Sequence, residues 1–359
     1  NYVVQEAIQV ISMFTDAHFL LISTTMAAII YKSVVERPPI STSEADEMRL
    51  LKGYATKYNF TAEQYTMASR YIRLLCRDRP CSIFPPYLKY PMRNHPFAEN
   101  YRVSFCQIPK SLQSVTLSIL FYLRDEEYFD NQNIAVSGPF YAGNVTGFYN
   151  FDTFNLGYGS KFDMVARQEM GFMYKNLNQG KWRHLLLLRN PLERFISGFT
   201  DLCVTRKTAY QLCYDCNGDL ECLLPHIERA REDLENDRLN LTTDGEIMWH
   251  FSPQNWLCNA YDDRDYYSIV KTSSSDKLGY LQTMLGYLKE QGVGQRQLDR
   301  ITNDLQMDTV HKTSGSSNTK NTIRLLKNRN DLRNRVLQMA MYDFVVFDFP
   351  FPYYLLRQY

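Results

Sequence analysis

Four leucines in a row, Leu185 to Leu188, constrain this chain more than any other stretch. The run shows no alternation, so a strand with one wet face would leave half of it in water. A strand buried on both faces fits, and such strands belong to parallel sheets covered by helices on either side. The run ends at Arg189-Asn190-Pro191, and LERFISGFTDL (192–202) continues with helical spacing. A similar unit precedes it. RVSFCQI (102–108) favours a strand, Pro109-Lys110-Ser111 turns the chain, and VTLSILFYLRD (115–125) reads as an amphipathic helix starting from Ser114. YYSIVKT (266–272) reads as a third strand, followed by a helix over 276–290. Further helices are expected over 61–76, where Thr61 and Gln64 can form a capping box, and over 161–177, 222–238 and 329–342, after which come FVVFDF and an aromatic tail. Strands alternating with helices give an α/β protein with a central, mainly parallel sheet flanked by helices.

Charge and hydropathy narrow the class. Forty Lys and Arg oppose 39 Asp and Glu, a net charge of +1, and 45% of residues are hydrophobic. A disordered chain would carry far fewer apolar residues, and a general nucleic-acid binder a basic excess. A polytopic membrane protein would show several long apolar runs. The stretch nearest to membrane length is 7–31, interrupted by Asp16 and His18; its clean part, Phe19 to Tyr31, is 13 residues, short of a 30 Å hydrocarbon core. It is either an amphipathic or buried helix or a signal anchor, and Pro38-Pro39 with the following polar run marks a linker after it. The expected organisation is 1–40 as this helix or anchor and linker, 41–99 as a helical and Pro-rich extension, and 100–359 as the main domain.

The eight cysteines are 76, 81, 106, 203, 213, 216, 222 and 258. Cys213 and Cys216 form a CxxC that could begin a zinc site, but no second ligand pair at finger spacing follows, and disulfides in an oxidising compartment fit better. Sequons at Asn59, Asn144 and Asn240 point the same way. Cys106, just before the first turn, is expected to be buried and outside the main cluster. The other seven are odd in number, so either Cys106 has a partner or another thiol is left over.

Ligands of open parallel sheets bind at the carboxyl ends of the strands, where both turns lie. The first, PKSLQSV (109–115), offers the Lys110 ammonium, the Ser111 and Ser114 hydroxyls and the amides of the next helix, a set suited to a phosphate-type anion. It lacks the glycines of a nucleoside-triphosphatase loop, and its Lys opens the turn instead of closing it. The second, RNPLERFISGF (189–199), offers Arg189, Arg194 and Ser197.

Together these motifs resemble those of sulfotransferases. PKSLQSV is similar to their 5′-phosphosulfate loop, and LRNPLERFISGF to their 3′-phosphate motif of the form RxPxxRxxSxF/Y. HFSPQNWLC (250–258) and Cys106 two residues before Ile-Pro-Lys resemble Golgi carbohydrate sulfotransferases of the chondroitin 4-O type and their nematode relatives. The resemblance covers roughly 100–350. It implies a P-loop-like sulfotransferase fold and the donor 3′-phosphoadenosine 5′-phosphosulfate, held by Pro109, Lys110, Ser111, Leu112, Gln113 and Ser114 at one phosphate and by Arg189, Arg194 and Ser197 at the other. It further implies a Golgi-lumenal enzyme, membrane-anchored or otherwise in the secretory pathway, with a glycosaminoglycan or other glycan acceptor, no nucleic-acid partner and no metal requirement. Gln113 and Val115 depart from the family pattern, which usually has a small residue and a polar one there.

Sulfuryl transfer needs an in-line acceptor hydroxyl, a cation on the leaving oxygen and a base for the hydroxyl proton. Lys110 suits the second role. Candidates for the third are His250, His311 and the acids Asp125, Glu126 and Glu127. The polar loop from His311 to Ser317 could close over a ligand, and Lys312, Lys320, Arg324, Lys327 and Arg329 could line a groove for a polyanionic sugar. Two other readings remain on the residues alone: a kinase with an atypical phosphate loop, and an inactive secreted binding protein on the same scaffold.

Overall fold

The computed structural model describes residues 44–76, 81, 96–137, 182–206, 213–235, 238, 244–272, 276–306 and 315–352. The 7–31 segment, most of the Pro-rich stretch, the helix expected over 161–177, the sequons at Asn144 and Asn240, and residues 311–314 lie outside them. Among the described residues no helix is long and apolar enough to cross a membrane.

A four-stranded sheet organises the fold, in the order β1 (Phe97–Ala98), β2 (Val103–Cys106), β3 (Arg183–Arg189), β4 (Tyr267–Thr272). β1 pairs antiparallel with β2; β2, β3 and β4 run parallel. Leu186 pairs with Cys106 on one side and Ile269 on the other, so β3 is central. The leucine run divides as a doubly buried strand should. Leu186 and Leu188 enter one core with Cys106 and Ile108, while Leu185 and Leu187 enter the other with Val103, Phe105 and Val270. Along β2 and β3, Ser104 and His184 meet through a 2.6 Å hydrogen bond between Oγ and Nδ1, and burial holds that imidazole down at about 4.

Two helices precede the sheet, α1 (Glu44–Lys57) and α2 (Ala62–Leu75). Thr61 caps α2 through the expected capping box with Gln64. After β2 come α3 (Gln113–Arg124) and α4 (Glu126–Asn131). β3 leads to α5 (Pro191–Gly198), a π-helical segment Phe199–Thr205, α6 (Leu220–Glu235), α7 (Gly245–Phe251), a 3₁₀ segment Gln254–Asn259 and α8 (Ala260–Asp263). α9 (Lys277–Glu290) and α10 (Gln295–Gln306) follow β4, and α11 (Ser317–Asn328), α12 (Asn330–Met339) and α13 (Met341–Val346) complete the described chain. FVVFDF begins within α13: Phe344, Val346 and Phe347 are buried in the first core.

All eight cysteines pair: Cys76–Cys81, Cys106–Cys258, Cys203–Cys213 and Cys216–Cys222. Cys106 is buried, as expected, and has a partner. The two cysteines of the CxxC belong to different disulfides, which removes the thiolates that zinc would need.

α1 is tied to the C-terminal end by one buried carboxylate. Glu47 is fully buried and accepts bonds from the Tyr342 hydroxyl (2.6 Å) and the Cys81 amide (2.9 Å). Burial pushes it up to about 7, against those two bonds, which favour the anion. A carboxyl raised above its unfolded value favours the folded state while protonated. Its contribution is therefore full below the ordinary value of 4.5 and is lost as pH rises through about 7. Glu47→Gln removes that dependence. Between about pH 4.5 and 8 the variant's unfolding free energy should gain about 3 kcal/mol on the wild type, measured by denaturant titration at both pH values.

Candidate active site

The turn after β2 runs through Ile108 and Pro109 into a strained corner. Lys110 has φ 67° and Leu112 φ 63°, both left-handed and neither glycine. Such a conformation is costly for a branched or long side chain and persists where the surroundings enforce it. Two arginines from the next unit do so. Arg194 donates from Nε to the Pro109 carbonyl at 3.0 Å, and Arg189 from Nη1 to the Lys110 carbonyl at 3.3 Å. α3 then starts at Gln113, and its first-turn amides have no carbonyl one turn back to bond. Val115 packs with Leu112 against the second core, so its departure from the family pattern falls on the core-facing side of the helix.

The turn after β3 is built by local rules. Asn190 caps α5, its Oδ1 accepting from the amides of Leu192 (3.1 Å) and Glu193 (3.3 Å), and Pro191 takes the first helical position, where a missing N–H costs nothing. Gly198 on this helix faces Phe251 and Lys110. A Cβ there would lie 3.3 Å from the Phe251 ring and 3.8 Å from Lys110 Cγ, so the glycine admits both side chains.

Gln254 joins the two turns. Its Oε1 accepts from the Arg189 amide (3.0 Å) and the Ser111 hydroxyl (3.3 Å), and its Nε2 donates to the Arg189 carbonyl (2.8 Å). Gln254 is completely buried and is itself fixed by Asp343 of α13, whose carboxylate accepts the amides of Gln254 (2.6 Å) and Asn255 (2.8 Å). Burial pushes the Asp343 carboxyl up to about 6, opposed by these amides and by Arg194. Four residues on, Cys258 forms the disulfide to Cys106, four residues before Lys110. The loop carrying Gln254 is thus fastened to the β2 end covalently and to both turns by hydrogen bonds.

The charges concentrate around Lys110. Its ammonium hydrogen-bonds Asp201 Oδ2, on the π-helical segment, and Arg206 grips the same carboxylate with Nε on Oδ1 (3.0 Å) and Nη2 on Oδ2 (2.9 Å). Burial draws the Lys110 ammonium down, with Asp201 opposing. His250, at the end of α7, is held neutral and well below the ordinary imidazole range, by burial first and then by Lys110, Arg194 and Arg206. Arg194 is 4% exposed, and burial lowers it to about 10.

The structure therefore brings together Pro109, Lys110, Ser111, Arg189, Arg194 and His250, with Leu112, Gln113 and Ser114 opening α3 and the buried Ser197 on α5. Arg194 is placed differently from the expectation of donor contact. Its guanidinium donates to the carbonyls of Pro109, Ser252 (2.7 Å) and Trp249 (3.4 Å), which makes it a brace between turn and loop. Asp125, Glu126 and Glu127 are far from Lys110: α3 separates them by its 12 residues, about 18 Å. There Asp125 caps α4 and Glu126 accepts from Tyr122 (2.8 Å). His311 lies outside the described residues. No sequence motif marks Gln254, Asp343 or Asp201 individually as a site residue. A signal existed for Asp201: Arg194, Gly198 and Asp201 recur at helical spacing toward the first turn.

Comparison with known proteins identifies the family of the chain. The model of the sulfotransferase family matches residues 94–350. An uncharacterized Caenorhabditis elegans protein, C18B2.2, is 24% identical over 273 residues, covering 74% of this chain and 72% of its own length. The C. elegans carbohydrate sulfotransferase chst-1 is 24% identical over 283 residues, covering 75% of this chain and 78% of its own. The putative sulfotransferase vep-2 of the same organism is 20% identical over 290 residues, covering 79% and 85%. No solved structure matches.

Gln254→Ala leaves the Arg189 amide and carbonyl and the Ser111 hydroxyl without their partner. Each buried polar group so exposed costs about 1–3 kcal/mol. The variant should unfold at lower denaturant with unchanged m, and should bind 3′-phosphoadenosine 5′-phosphate at least about tenfold more weakly, because both turns lose their common anchor.

Proposed function

The chain belongs to the sulfotransferase family, and we propose that it transfers a sulfuryl group from 3′-phosphoadenosine 5′-phosphosulfate to a hydroxyl of a glycan, most consistently a chondroitin-type glycosaminoglycan. The observation that carries the donor reading is the convergence of the two turns: Arg189 reaches back to the Lys110 carbonyl, and Gln254 bonds to Ser111 of the first turn and Arg189 of the second. One turn alone would be a helix cap. Two, keyed to each other at the carboxyl ends of adjacent parallel strands, form a site for a ligand with two separated phosphate groups.

In this reading the 5′-phosphosulfate sits over the start of α3, with Ser111, Gln113 and Ser114 beside it, and the 3′-phosphate meets Arg189 and Ser197. The acceptor oxygen attacks sulfur in line. The new S–O bond forms as the bond from sulfur to the bridging phosphate oxygen breaks, and the charge left on that oxygen meets the Lys110 ammonium. The acceptor proton leaves to a base; His250, neutral and next to Lys110 in charge space, is the candidate the described residues supply. Its depressed basicity suits a proton that departs late, once sulfur has drawn electron density from the acceptor oxygen.

The carbohydrate acceptor is supported by the name of the chst-1 relative. Lys320, Arg324 and Lys327 are exposed along one side of α11, which packs against α5 and the π-helical segment, a placement suited to a polyanionic chain. Four disulfides fit an oxidising compartment, and Asn59 of the Asn-Phe-Thr sequon is exposed in the turn between α1 and α2. Family membership supersedes the kinase alternative.

Calorimetry with 3′-phosphoadenosine 5′-phosphate tests the donor site. Binding should persist when Mg²⁺ is chelated and weaken about tenfold or more in Arg189→Ala, as loss of a charge-assisted pair implies. Lys110→Ala should bind this sulfate-free product with a smaller loss but transfer radiolabelled sulfate to desulfated chondroitin about 10²–10³-fold more slowly. An absence of binding by the wild type would sink the donor assignment; transfer to other glycans but not chondroitin would replace the acceptor.

A further inference from the structure

Lys110 sits in a difficult place for an ammonium. Its side chain is 14% exposed, so it has lost most of its water. Two of the charged groups facing it are cations, Arg194 from α5 and Arg206 directly after the π-helical segment; His250 from α7 is neutral; Asp201 is the anion. Burial and the two arginines all disfavour the charged form, and Asp201 favours it. A neutral amine could not meet the charge that develops on a leaving phosphate oxygen.

Asp201 is built for this task. Its own side chain is 12% exposed, and it is held from the far side by Arg206 through both carboxylate oxygens. The π-helical segment makes that grip local: Arg206 lies five residues after Asp201, and its amide also bonds the Asp201 carbonyl at 3.1 Å. π-helical turns are rare and are found frequently at functional sites. An ammonium has three donors, so Lys110 can keep Asp201 while it engages a ligand oxygen.

We propose that Asp201 is the built-in counter-ion of Lys110, a positioning residue that keeps its ammonium charged and aimed for sulfuryl transfer. This rests on the role given to Lys110 above, and it adds a residue outside both phosphate-binding turns. Arg206 in turn orients Asp201 and, as a cation, tempers its hold on Lys110.

The test reads Lys110 itself in the ligand-free full chain. Competitive labelling with acetic anhydride across pH, followed by mass spectrometry of the Lys110 peptide, gives the titration of its amine. In Asp201→Asn the half-titration point should fall by about 1–3 pH units, the effect expected for losing an adjacent opposite charge. Asp201→Glu should restore most of it. The alkaline limb of the kcat profile should move down with the same variant, while affinity for 3′-phosphoadenosine 5′-phosphate changes less than kcat. If folded Asp201→Asn left the Lys110 titration where it was, the inference would be overturned. Should that variant not fold, Arg206→Gln supplies the opposite perturbation: removing the competing cation should raise the Lys110 titration point, and a fall or no change would count against the proposal. Because the labelling needs no nucleotide, it can succeed even where the wild type binds no nucleotide; that second outcome would refute the donor site and not the Asp201–Lys110 relation.

Discussion

One buried amide holds the site in register. The Gln254 side chain lies between the Ser111 hydroxyl and the main chain of Arg189, accepting from one strand-end turn and both accepting from and donating to the other. A primary amide is suited to the position: its oxygen can receive two donors while its nitrogen gives to a carbonyl. A carboxylate would repel the Arg189 carbonyl, and an apolar residue would leave three buried polar groups unpaired. The distance between the two turns is thus set by the length of one side chain.

That side chain is only as fixed as its backbone, which explains how the distant C-terminal end bears on the strand ends. Asp343, in the first turn of α13, receives the amides of Gln254 and Asn255 in its carboxylate, while the preceding residue, Tyr342, donates to Glu47 of α1. Consecutive residues of one short helix therefore serve the active-site loop and the N-terminal helices. Phe344, Val346 and Phe347 bury the helix in the core that also holds Leu186 and Leu188. A change that loosens α13 acts on both strand-end turns through Gln254 without touching them, and the Cys106–Cys258 disulfide limits how far that loop can move.

Much of this could be read from sequence because local rules govern it. The unalternating leucines gave a doubly buried central strand, Asn190-Pro191 gave a capped helix start, and Thr61 with Gln64 gave the capping box. What escaped is polar and long-range. Gln254 and Asp343 sit 89 positions apart, and Lys110 and Asp201 91 apart. A buried Gln or Asp looks in sequence like any surface residue, since its partner is named only by the tertiary fold. Arg194 shows the same effect in reverse. Its place in a phosphate-binding pattern suggested ligand contact, but burial against three carbonyls gives it a structural use. The cysteines lay between these cases: their number and clustering indicated disulfides, but spacing left the pairing of Cys106 open.

The near-zero net charge takes on a different meaning at the site. Lys110, Arg189, Arg194 and Arg206 cluster there, yet none is a bare cation. Asp201 faces Lys110 and Arg206, Glu193 lies 3.5 Å from Arg189, and Asp343 acts on Arg194. An empty site of four unopposed, partly dry cations would repel itself and shed protons from its lysine. Matching each cation with a carboxylate keeps the cluster charged and in place before a ligand arrives. The anions are not equivalent, however. Asp343 accepts two backbone amides and Asp201 a two-point grip from Arg206, whereas the contact of Glu193 with Arg189 is long, at 3.5 Å. On the function proposed above, a ligand phosphate at Arg189 would meet a cation in a long ion pair, whereas at Lys110 it would share the ammonium with Asp201. On that reading the second arrangement preserves the charge of Lys110, the residue proposed to meet the leaving phosphate oxygen.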